Sequence, residues 1–131
     1  MSNIQKTSSK GFSVKARIKS FSYAIQGINT FLKTQHNAWI HAFATVLVIV
    51  LGNIVRLSFS EWCLIFLAIA LVFITEMLNT AIEFLTDLAS PEFHPLAKKT
   101  KDVAAAAVLV ASIIAVVIGV IIFVPKWIEF K

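Results

Sequence analysis

Cysteine occurs once in the 131 residues, at Cys63, so one chain builds neither an internal disulfide framework nor a cysteine-based metal cluster. Glycine is scarce as well. Gly11, Gly27, Gly52 and Gly119 each stand alone, and neither a Walker phosphate loop nor a Rossmann fingerprint can be assembled from them. Any phosphate chemistry has to proceed without a glycine cradle. Charged residues make up 15% of the chain against 58% hydrophobic, which argues against a chain disordered throughout and against a charged soluble domain. Acids number seven against twelve Lys and Arg. Five of those seven, Glu76, Glu83, Asp87, Glu92 and Asp102, nevertheless crowd between positions 76 and 102.

What the chain has in quantity is apolar runs. Three of them approach or reach the ~18–20 residues that cross a hydrocarbon core of about 30 Å, at 38–55, 62–85 and 103–124. The first is broken only by His41 near its start and Asn53 near its end, and the third carries no charge. The second completes a crossing only by taking Glu76 and Asn79 into the bilayer. Ahead of the first run, Val14, Ile18, Phe21, Ile25, Ile28 and Leu32 recur at helical spacing, predicting an amphipathic surface helix over about 13–34. The expected fold is an all-α integral membrane protein, three transmembrane helices preceded by that surface helix. Residues 1–12 read as a mobile polar tail and 13–131 as one membrane domain.

Lys and Arg in the flanks set the orientation. The N-terminal segment and the second connection are rich in them, whereas the first connection holds only Arg56, so the N-terminus and the second connection are expected in the cytoplasm and the C-terminus on the opposite side. Trp39, Trp62 and Trp127 sit at span ends and read as interfacial anchors. The first apolar run begins too late, and lacks a small-residue cleavage site, for a secretory signal to be expected. The net charge of +5 is explained by anionic lipid heads, and no nucleic-acid partner is expected.

Within ITEMLNTAIEFLTDL, Glu76, Glu83 and Asp87 fall within roughly 20° of one line on a helix at about 100° per residue, with Asn79 and Thr80 beside it. Glu76 is about 21 Å along the helix from Trp62, still inside the hydrocarbon, while Glu83 reaches the interface. An ionisable side chain at that depth costs ~2.5–3.5 kcal/mol on insertion scales and marks function. Capping or pairing with Lys98 or Lys101 is the plainer explanation for Glu83 and Asp87. Pro95 suits the first turn of a new helix, in which Lys98, Lys101 and Asp102 share a face. His36 and His41 carry no separate assignment, and Cys63 reads as packing.

Together, E-M-L-N-T-A-I-E at 76–83, Asp87, E-F-H at 92–94 and K-D at 101–102 resemble the small prokaryotic diacylglycerol kinase and undecaprenol kinase family, over about residues 21–125. The resemblance implies a homotrimeric kinase of the bacterial cytoplasmic membrane, with active sites shared between neighbouring subunits. It implies transfer of the γ-phosphate of Mg-ATP to a lipid hydroxyl. By position it implies Glu76 as general base with Asn79 beside it, Glu83 on Mg²⁺, Lys101 on phosphate, and Tyr23, Glu92, His94 and Asp102 around ATP. Gln35 stands where the family has a metal-binding glutamate, and an amide oxygen there ligates without adding charge. Asn37 with His41, and Lys101–Asp102 followed by V-A-A-A-A-V, resemble the undecaprenol kinase branch, with Ala105 as part of the substrate wall. Undecaprenol is thus the expected acceptor, with diacylglycerol as the alternative. A more remote alternative is a non-enzymatic channel or assembly subunit whose acids line a polar path.

Overall fold

The computed structural model describes residues 13–130, all of whose regular structure is helical: α1 (Val14–Thr34), α2 (His36–Ile54), α3 (Phe59–Ala89) and α4 (Pro95–Phe130). The expected polar tail, residues 1–12, lies outside the described residues. The chain divides into two compact units after Thr30. In the first, Ser13 Oγ accepts from the Ala16 N–H at 3.3 Å, capping the start of α1. The apolar stripe of α1, from Val14 through Ile28, is exposed, as the surface-helix pattern requires.

Only Gln35 separates α1 from α2. Its backbone is extended, its N–H donates to the Phe31 carbonyl at 3.0 Å, and its own carbonyl accepts from Ala38 at 3.2 Å. Trp39 Nε1–H donates to the carbonyl of Leu32 at 3.0 Å. The indole therefore satisfies one of the unpaired acceptors at a helix C-terminus, where an interfacial anchor would keep this donor wet.

α2 ends in a tight reversal. The N–H of Leu57 donates to the Gly52 carbonyl at 3.0 Å and that of Arg56 to Asn53 at 3.3 Å, with Arg56 at φ 54°. This is the Schellman pattern with arginine in the left-handed position that glycine usually takes. Leu57 folds back over Gly52, and a Cβ at Gly52 would lie 2.8 Å from the Trp62 ring and 2.9 Å from Leu57. Around this turn Val55, Leu57, Ile65 and Ile122 form the buried apolar cluster.

All three predicted spans are present, with shifted ends. The first helix starts at His36, not 38, because Gln35 alone supplies the break. The second starts at Phe59, not 62, because Ser58 and Glu61 form a capping box: Ser58 Oγ accepts from the Glu61 N–H at 3.4 Å and Glu61 Oε2 from the Ser58 N–H at 2.7 Å. It runs four residues past the predicted 85 to Ala89, and stops where Pro91 disfavours helical backbone at Ser90. The third helix begins at Pro95, as expected from that proline, eight residues ahead of the apolar span at 103, with His94 Nδ1 accepting from the Leu96 N–H at 3.2 Å. It also passes through Pro125 to Phe130, since a proline so near a helix end sacrifices few hydrogen bonds. At this end Lys126 Nζ stands 3.5 Å from Glu61 Oε2.

α2, α3 and α4 are each long and apolar enough to cross a membrane. At ~1.5 Å per residue the 31 residues of α3 and 36 of α4 span about 46 and 54 Å, well beyond the hydrocarbon core. α3 packs chiefly on α4 and less extensively on α2. Buried Ala68, Ala104 and Ala111 let backbones approach, the route by which helices associate in lipid, where apolar burial alone gives no preference. Most of the remaining apolar surface faces outward. Cys63 is exposed too, so it is not a packing residue within the chain.

Replacing Gly52 with valine should destabilise the fold by about 1–3 kcal/mol through overpacking at the turn. Thermal unfolding in detergent micelles would show it as a lowered Tm.

Candidate active site

The acidic stripe of α3 begins with a carboxylate that the fold encloses. Glu76 is only 2% exposed, and His41 of α2 reaches across to it, with Nε2 3.1 Å from Oε1. The imidazole stands edge-on to Phe73, ring centroids 6.4 Å apart and planes at 69°. One turn on, Thr80 Oγ1 donates to the Glu76 carbonyl at 2.9 Å. Asn79 Nδ2 donates to Glu83 Oε1 at 2.9 Å, and Asn79 Oδ1 is buried with no protein partner. An unpaired buried amide oxygen is costly unless a ligand or water completes it.

Glu83 is about 10 Å further along α3 than Glu76, and Asp87 about 16 Å. There the environment turns ionic: Lys101 pairs with Asp87 across the helices, and Lys98 Nζ lies 2.5 Å from Asp102 Oδ2 within α4. Asp87 has Lys101 as its partner, the pairing that the plainer explanation names. Asp87, Glu92, His94, Lys98 and Lys101 border one cleft of about 400 Å³ between the end of α3 and the start of α4. Ser90 Oγ donates to the Glu92 carbonyl at 3.0 Å, tightening this connection.

The other predicted residues are distributed differently. Gln35 is half-buried at the α1–α2 junction, and among the described residues its side chain makes no hydrogen bond. Tyr23 belongs to the first unit, exposed on α1, with Lys19 Nζ 5.7 Å from its ring centroid. Asp102 is exposed, and of the adjacent alanines Ala104 packs inward while Ala105 faces out. His41, part of the pattern that resembles the undecaprenol kinase branch, carried no site role from the sequence. Its signal was its isolation, as the first polar interruption of an apolar span, because a polar group at that depth needs a partner.

A second apolar feature starts at the same histidine. A groove of about 280 Å³ runs away from His41 and Phe73 between the three long helices, past Ala68 and Ser112 towards Gly119 and Phe123. The imidazole therefore stands between an apolar groove and the first carboxylate of a polar stripe, and the stripe leads to an ionic cleft.

The family described as prokaryotic diacylglycerol kinase matches residues 22–123. The chain belongs to the prokaryotic diacylglycerol kinase family. Among its relatives, the undecaprenol kinase of Bacillus subtilis is 47% identical over 108 residues, 82% of this chain and 88% of that protein. The diacylglycerol kinase of Synechocystis is 41% identical over 107 residues, 81% of this chain and 61% of that protein. That of Escherichia coli K12 is 34% identical over 107 residues, covering 76% and 82%. Membership of the prokaryotic diacylglycerol kinase family makes the chain a membrane lipid kinase that uses ATP, and sets aside the non-enzymatic alternative.

The donors present suit a hard cation. Glu83 and the unpaired Asn79 oxygen offer oxygen donors, and Mg²⁺ ordinarily takes one or two carboxylates while substrate phosphates and water complete its shell. Among the described residues no three His, Cys, Asp or Glu side chains converge on one point, so this chain alone forms no closed metal cage of such residues.

Thr80→Val should leave phosphate transfer nearly unchanged, because the Glu76 carbonyl keeps its helical N–H partner. Asn79→Leu should lower transfer by about tenfold or more, since Glu83 loses the amide that aims it. Initial rates of the two variants at saturating ATP would separate these outcomes.

Proposed function

We propose that the chain transfers the γ-phosphate of ATP to the terminal hydroxyl of undecaprenol in the bacterial cytoplasmic membrane. The observation that carries this reading is the separation in depth along α3 and α4. His41, in contact with the buried Glu76, borders an apolar groove, and Lys98 and Lys101 line an ionic cleft farther along the stripe. A lipid alcohol and a water-borne nucleotide are thereby drawn to the same stripe from opposite directions. The 47% identity with a protein named undecaprenol kinase favours the polyprenol over a glyceride.

In this reading the hydroxyl reaches Glu76 with its hydrocarbon in the groove. Glu76 accepts the hydroxyl proton, the alcohol oxygen forms a bond to the γ-phosphorus, and the bond to the β-bridging oxygen breaks as ADP leaves. Lys101 turns from Asp87 to phosphate, a modest change because a part-exposed ion pair is worth only about 0.2–1 kcal/mol. Asp102, Glu92, His94 and Tyr23 orient the nucleotide. Bound Mg²⁺ would neutralise charge on the phosphates, held by Glu83 with Gln35 as an uncharged oxygen donor. The working assembly is a homotrimer with sites shared between neighbours, which fits the outward-facing Asp102 and Ala105. The lysine-rich flanks support a cytoplasmic N-terminus and active site, with the C-terminus on the opposite side.

Diacylglycerol is the second reading, supported by the relatives that carry that name. With γ-labelled ATP and either lipid in mixed micelles, kcat/KM should be at least about tenfold higher for undecaprenol, equivalent to ~1.4 kcal/mol of transition-state preference. The reverse ranking would assign the chain to glycerides. Glu76→Gln should cut transfer by about 10²–10⁴-fold, the usual range for loss of a general base. Gly119→Leu, with open space around its Cβ, should fill the groove and raise the KM for lipid while sparing that for ATP.

A further inference from the structure

The apolar run of α2 carries two polar interruptions, and they behave differently. Asn53 Nδ2 donates to the Ile49 carbonyl of its own helix at 2.7 Å, so it needs no neighbour. His41 makes no such local bond. It spans to α3 and meets a carboxylate that is otherwise enclosed.

We propose that His41 is a positioning residue for the phosphoryl-transfer reaction: it fixes Glu76 Oε1 so that Oε2 is presented to the lipid hydroxyl. The inference rests on the reading of Glu76 as the base. In the role of base Glu76 is a carboxylate that accepts hydrogen bonds, so the ring nitrogen 3.1 Å from it is then the donor. Glutamate has three rotatable side-chain bonds, and a single donor on one oxygen removes most of that freedom. His41 is itself held. Phe73 meets its ring edge-on, and the side chain is 23% exposed. Among the described residues, Oε1 has this one partner and Oε2 has none, which leaves Oε2 for substrate.

The position of the ring adds a second argument. His41 also borders the apolar groove, so the residue that orients the base lies at the point where a lipid in that groove would end. Alignment of the base and arrival of the hydroxyl therefore depend on one side chain. A purely structural histidine at this site would be indifferent to the length of its replacement.

The test compares two uncharged amides. Glutamine places its donor about as far out as imidazole Nε2, whereas asparagine falls short of Oε1. His41→Gln should keep kcat within a few-fold. His41→Asn should lower kcat by about 10²-fold, the cost expected of a misplaced catalytic group, with the KM for ATP unchanged. In the Glu76→Gln background, His41→Asn should cause little further loss, because the two residues act as a unit. Equal kcat for the two amide variants, or a loss confined to the KM for ATP, would overturn the positioning role. Full activity of Glu76→Gln alone would instead overturn the reading of Glu76 as base, so the two failures are distinguishable.

Discussion

A carboxylate enclosed among apolar helices constrains everything placed near it. Glu76 has almost no contact with solvent, and a polar group so situated needs a partner close by. His41 is that partner, and the contact ties α2 to α3 at this level. The remainder of the polar face grades outward from this pair. An amide aims the next carboxylate, and a lysine crosses to the one after it.

The helices serve that gradient by their lengths. α2 is close to one hydrocarbon thickness, but α3 and α4 extend well past it, and α4 overlaps α3 where the ionic cleft forms. Charges that would be expensive inside the bilayer are therefore carried on the same helices beyond its core. The opposite end needs no such provision. There the turn at Arg56, the Ser58–Glu61 capping box and the Lys126–Glu61 contact close the bundle around an apolar cluster. Glu61 stands apart from the acidic crowding because its task is to cap a helix.

The sequence made much of this legible. Apolar run length located three spans, and the period of α3 placed Glu76, Glu83 and Asp87 on one face. Helix ends were less readable. The capping box at Ser58 and the persistence of α4 through Pro125 are local hydrogen-bonding outcomes that a hydropathy boundary does not register. Among site residues, Glu76 and Asn79 are conspicuous as polar groups deep in an apolar run, whereas His41 lies near the start of its run. A histidine near the edge of a run can equally well be an interfacial residue, and only its neighbour distinguishes the two.

The sequence by itself determined the helical membrane architecture, the order of its elements and the composition of the polar stripe, because each depends on periodicity along a single segment. Tertiary structure decided which partners meet. His41 contacts a residue 35 positions away, Lys101 takes Asp87 while Lys98 takes Asp102, and Ala104 turns inward where Ala105 does not. Those outcomes follow from the rotation and axial register of one helix against another. Both are set by contacts summed along the packed helices, which no single segment contains.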